Sequence, residues 1–155
     1  MGPTLVSKTY EPTDVDEFTE LAYSEGWTDG LPVLPPTEKA VTGIIDYLGK
    51  DPGEVVGVLP PAEGIATIEK IAINCAMAGC KPEYVPVVIT AVQAMLAEEF
   101  ELMRVNSTTG GPAPAAIISG PAVKQLGMHY GEGAVAGSGN RVNASIGRAI
   151  RLVLW

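Results

Sequence analysis

The chain has 155 residues and is short of positive charge, aromatic rings, cysteine and histidine. Lys and Arg total 10 against 18 Asp and Glu, for a net charge of −8 and a pI near 4.6. Nucleic-acid binders carry a basic stripe; none is visible here, so no nucleic-acid partner is expected. Anionic membrane surfaces are excluded on the same ground. No stretch approaches the roughly 18 apolar residues of a membrane span, so no membrane partner is expected either. Met1-Gly2-Pro3-Thr4-Leu5 lacks the basic and apolar regions of a secretory signal, which makes the cytoplasm the expected compartment. Two cysteines do not make a disulfide framework. With a single histidine they also fall short of the ligand set of structural zinc, so no metal is expected.

What is present is apolar and heavily punctuated. Hydrophobic residues make up 46% and charged residues 18%, too apolar a balance for a disordered chain. Aromatics are only 6%, so the core must come from Ala, Val, Ile and Leu, with turns set by 18 Gly and 13 Pro. The length suits one domain over 1–155, large enough to bury about two thirds of its unfolded surface.

Residues 1–11 read as an arm or edge strand. Thr13 or Asp14 caps a helix over 14–25 that ends at Gly26. The proline-pinned run Trp27 to Pro36 is expected to be extended. Thr37 caps a helix facing inward through Val41, Ile44, Ile45 and Leu48, with Gly49 as its stop. After the turn Asp51-Pro52-Gly53, residues 54–59 read as a buried strand closed by Pro60-Pro61. Helices are expected over 66–78, ended by Gly79, and from Lys81-Pro82 to Ala97. Leu102–Val105 and Ala115–Ser119 read as strands, followed by a short helix from Pro121 and a last helix from Arg141. Short strands interleaved with about five helices predict a compact α/β or α+β domain.

Six constellations carry chemistry. In the run 137–148, glycines precede a helix whose Arg141, Ser145 and Arg148 fall on one stripe; with Asn140 they suit a carboxylate or phosphate at a helix N-terminus. The loop Asn106-Ser107-Thr108-Thr109-Gly110-Gly111 offers Asn106, Thr108 and Thr109 to orient a substrate. Lys70 and Asn74 align on the helix 66–78, where Lys70 is a proton-transfer candidate against the plainer reading of a solvated face. Cys75 and Cys80 are five residues apart and meet only if the helix breaks near Gly79. His129 is the other acid/base candidate. Trp27 and Asp29, in a rigid loop, form either a pocket wall or an anchor for the first helix.

The segments Glu25–Thr37, Glu69–Asn74 with Ala78-Gly79-Cys80, and Gly139–Ala149 resemble a poorly characterised bacterial family loosely associated with the UGSC-motif (seleno)proteins. The resemblance spans about residues 20–155. The UGSC motif is absent, and Gly137-Ser138-Gly139 does not replace it, so the resemblance implies no redox chemistry.

The expected function is a small-molecule enzyme, or a subunit of one, acting on an anionic metabolite by acid/base chemistry of a lyase or hydratase kind. Arg141 and Arg148 would hold the anion, and Lys70 or His129 would move a proton. No motif names a cofactor. One alternative is a non-catalytic subunit whose apolar C-terminus, Ile150 to Trp155, docks on a larger enzyme. Another is a thiol redox protein using Cys75 and Cys80. A homo-oligomer or a partner subunit is expected, because that C-terminus is too apolar to end in water.

Overall fold

Asp14, Thr37, Thr67 and Asn140 each turn a side-chain oxygen onto a backbone N–H three residues later, and each starts a helix. The computed structural model describes residues 3–135 and 139–155. Among them the order is α1 (Val15–Ser24), α2 (Glu38–Leu48), β1 (Val55–Leu59), β2 (Gly64–Thr67), α3 (Ile68–Met77), α4 (Val85–Met95), α5 (Leu102–Ser107), α6 (Pro121–Gln125) and α7 (Arg141–Val153). Single 3-10 turns at Pro82–Tyr84 and Glu98–Phe100 lead into α4 and α5. The result is one compact α+β fold. The α/β alternative is set aside, because the two strands form an antiparallel hairpin with a bulge between Val55 and Gly57. No helix among the described residues is long and apolar enough to cross a membrane.

Helix α3 is the centre. Ile68, Ile71, Ala72 and Cys75 are fully buried, against α2 on one side and α4 and α7 on the other. From α4 come Val85, Val88 and Val92, and from α7 Val142, Ile146 and Ala149. A smaller cluster, Phe18, Ala22, Val33, Met77 and Leu152, joins α1 to the far end of α3. Burying side chains of this size stabilises by roughly 1.5–3 kcal/mol each before chain entropy is counted.

Four sequence expectations change. Leu102–Val105 is helix, not strand, since a four-residue apolar run fits either period; only Leu102 of α5 is buried. Residues 115–119 form no strand, because the fold supplies no partner for them. Strand β2 was hidden because its apolar residues run straight into α3, which begins at Ile68 and not at Ala66. Residues 3–11 form no edge strand; they lie as an irregular arm, with Tyr10 edge-on to Trp27 at 4.8 Å.

Candidate functional site

Helix α3 ends as its sequence demands. Gly79 takes φ +77°, its N–H donates to Ala76 O (3.0 Å), and Cys80 N–H donates to Cys75 O (2.9 Å). This is a Schellman cap, which brings the residue three before the cap against the second one after it. Those residues are Cys75 and Cys80, so the helix break does bring the two cysteines together. Both are reduced and buried, and Cys80 Sγ donates to Ser145 O (3.4 Å). The hydrogen bond with Cys80, then burial, pushes the Cys75 thiol well above the usual range. Such thiols are poor nucleophiles. A thiol reagent at neutral pH should therefore leave both cysteines untouched in the folded chain and label two after denaturation. Rapid native labelling of either would restore the thiol-redox alternative.

The stripe on α7 closes over this cap. Arg141 donates to Gly79 O from Nε (3.1 Å) and Nη2 (2.8 Å), and Ser145 Oγ reaches the same oxygen at 3.5 Å. A cation at the carbonyl end of a helix is electrostatically favoured. One turn on, Arg148 Nη2 donates to Asp29 Oδ1 (3.1 Å) and Leu31 O (3.0 Å), while its Nε is buried without a partner among the described residues. Burial raises the Asp29 pKa, but the Arg148 hydrogen bond and charge, with the Leu31 amide and Thr28 hydroxyl, outweigh it and hold the carboxyl below its ordinary 3.8.

The two arginines therefore do not form one anion clamp. Arg148 is neutralised by Asp29, and only Arg141 remains exposed without a carboxylate partner among the described residues. Trp27 takes the anchor role. Its N–H donates to Ala22 O (2.9 Å), ending α1, and its half-buried ring packs on the smaller cluster.

Asn140 and Asn143 organise the N-terminal turn of α7. Asn140 Oδ1 accepts from Asn143 N–H (2.9 Å), and Asn140 Nδ2 donates to Gly127 O (3.2 Å). The Asn143 side chain accepts from His129 N–H (3.0 Å) and donates to His129 O (2.9 Å). His129 is thereby fixed beside this turn, exposed, with Nε2 2.8 Å from Glu132 O. A carbonyl can only accept, so in the neutral ring Nε2 carries the proton and Nδ1 presents its lone pair. Of the glycine run ahead of α7, residues 136–138 lie outside the described residues.

The other candidates lie elsewhere. Lys70 is on the solvated face, with Nζ donating to Ile65 O (3.0 Å), and Asn74 Nδ2 donates to Lys70 O (2.9 Å). Nine residues of rise, about 13 Å, separate Lys70 from the cap at Gly79. Asn106 Nδ2 donates to Pro60 O (2.9 Å), beside the C-terminal end of α4. The length of α4, about 16 Å, lies between that corner and the 79–82 turn. Thr108 Oγ1 accepts from Gly110 N–H (3.2 Å), and Thr109 is exposed, so this loop makes its own turn.

No protein-family model, curated protein or solved structure matches the chain.

What the N-terminal turn of α7 can do chemically follows from its own groups and those bonded to it. It offers an exposed guanidinium, an exposed imidazole and the N-terminus of a long helix. Among the described residues no three His, Cys, Asp or Glu side chains converge as a metal site.

Two structural residues escaped the sequence reading. Asn143 looks like any polar helix residue until its bonds to His129 are seen. Glu69 is 1% exposed. Its carboxylate accepts from Val6 N–H (3.1 Å) and Ser7 N–H (2.8 Å), pinning the N-terminal arm. A signal existed: at 100° per residue Glu69 falls on the arc of Ile68, Ala72 and Ala76.

Proposed function

We propose that the chain binds a small carboxylate- or phosphate-bearing metabolite at the N-terminal turn of α7. There it works as an acid/base enzyme, or as one subunit of such an enzyme. The observation that carries this reading is Arg141, an exposed cation with no carboxylate partner among the described residues, next to the positive end of the α7 dipole. His129, held at the same turn by Asn143, is the proton-transfer group, with Nδ1 as the base. Lys70 drops out of the reaction because of its distance from Arg141. The chain acts as a cytoplasmic homo-oligomer in this reading.

Titration of the full chain with inorganic phosphate and with a short dicarboxylate tests the site by calorimetry and by amide NMR. Saturable binding is expected, with shifts at Arg141 to Asn143. Arg141→Ala should weaken it by about 10- to 100-fold, the worth of one charge-assisted hydrogen bond. Lys70→Ala should leave it unchanged. No saturable binding of either probe, or equal affinity in Arg141→Ala, overturns the reading.

The subunit alternative stands as the second reading: Ile150 and Leu152 are taken up by the chain's own core and Trp155 Nε1 donates to Gly26 O (3.1 Å), while Trp155 itself stays 63% exposed and supports it.

A further inference from the structure

We infer that Asn143 and Gly131 are positioning residues that hold His129 in a single tautomer, with its proton on Nε2 and its lone pair on Nδ1. The inference rests on the acid/base reading above and names the residues that prepare its base.

His129 is exposed, and an exposed imidazole samples several rotamers unless its neighbours fix it. Two constraints act on it, one through the backbone and one through the ring. The backbone constraint is Asn143. Its Oδ1 accepts from His129 N–H (3.0 Å) and its Nδ2 donates to His129 O (2.9 Å), so the amide pairs with this one residue as a neighbouring strand would. Nδ2 also donates to Ala134 O (3.3 Å). A side-chain amide nitrogen carries two protons, enough for both carbonyls. Asn143 thereby ties the two ends of the segment 129–134 to one point on α7.

The acceptor for the ring lies inside that segment. Residues 131–134 form a turn closed by Ala134 N–H to Gly131 O (3.2 Å). Its third residue, Gly133, takes φ +77°, while Glu132 before it does not take a positive φ. That combination marks a type II turn, whose central peptide is flipped relative to type I. The central peptide here carries Glu132 O, the atom 2.8 Å from His129 Nε2. The ring lies back over the start of the turn. A Cβ at Gly131 would stand 3.2 Å from His129 Cε1 and 3.8 Å from Nε2, and would meet no other group within 4 Å apart from its chain neighbours. Gly131 takes no positive φ, so its bare Cα serves the ring and not the backbone.

The chemical consequence follows from the acceptor. A carbonyl takes a proton's bond and gives none, so Nε2 keeps the proton and Nδ1 stays bare. Asn143 acts twice on this outcome, by fixing where the ring starts and by fixing the turn that holds its acceptor. A base locked by such supporting bonds needs no rearrangement before it accepts a proton.

Two substitutions separate positioning from a plain structural role. Asn143→Asp keeps the acceptor for His129 N–H but sets a carboxylate oxygen against the His129 and Ala134 carbonyls. A carboxylate in the first turn of α7 is favoured by the helix dipole, so the helix is kept. Gly131→Val leaves the backbone bonds in place and crowds the ring. Two-bond proton–nitrogen NMR of the imidazole reads the tautomer in the full chain, at about pH 8 where an ordinary histidine is neutral. The chain has one histidine, so the spectrum holds one ring. Wild type should show a protonated Nε2 and a bare Nδ1 with well-separated nitrogen shifts. Both variants should draw the two shifts together, the sign of exchange between tautomers, with wild-type circular dichroism and melting curves. Averaged shifts in the wild type overturn the inference. The wild-type pattern retained in Asn143→Asp overturns the part given to Asn143, and retained in Gly131→Val the part given to Gly131. Inorganic phosphate is titrated into the same samples and followed at the Arg141 amide. A fixed ring in a chain that binds no phosphate overturns the acid/base reading and leaves the positioning of His129 standing.

Discussion

Replacing Glu69 by alanine should cost about 3 kcal/mol of stability, the scale for losing hydrogen bonds to a buried charged group. The carboxylate holds the Val6 and Ser7 amides, and burial on α3 leaves water no access to replace it. Trypsin should also cut at Lys8 faster in the variant, because the arm loses its anchor. Burial pushes the Glu69 pKa up, but the Ser7 hydrogen bonds and the Val6 amide outweigh it, leaving it below the ordinary 4.5. A carboxyl with a lowered folded-state pKa contributes stability in full above its unfolded value. That contribution is lost as the pH falls through the folded value. The stability difference between wild type and Glu69→Gln should therefore shrink as the pH falls below the ordinary carboxyl value of 4.5. Denaturant melts of both proteins across that range check it; a constant difference would show that the carboxylate's charge is not what holds the arm.

Ile71→Ala should cost about 3 to 4 kcal/mol, and Lys70→Ala less than about 0.5 kcal/mol. The two residues are neighbours in sequence and separated by 100° on α3. Ile71 is fully buried in the main core, whereas Lys70 points to water and holds one carbonyl at the surface. Urea melts read both variants. Equal losses would mean that Lys70 is part of a buried network and would return it to the list of catalytic candidates.

Local physics made much of this fold legible. The cap at Thr37, the glycine stops at Gly26, Gly49 and Gly79, and the apolar stripe of α2 all follow from 3.6-residue spacing and from which residues tolerate helix ends. The same rules failed at Leu102–Val105 and Ala115–Ser119, where the apolar run is too short to show a period. A strand is also not a local object. The run 115–119 has the composition of one, and only a neighbour can make it one.

For the candidate site the division is sharper. The sequence by itself determined the cast: one histidine, an arginine stripe on the last helix, a polar turn ahead of it, and two cysteines around a glycine. The glycine at position 79 also determined that the cysteines meet, since a Schellman cap is set by backbone geometry within six residues. Only the tertiary structure decided which arginine is neutralised. Asp29 and Arg148 are 119 residues apart, and no local rule pairs them. It likewise separated Lys70 from Arg141, drew His129 to Asn143, and turned Glu69 inward onto the arm. These are long-range electrostatic and hydrogen-bonding outcomes. They depend on which surfaces the apolar core brings face to face, and the core is chosen by the packing of the whole chain, not by any one segment.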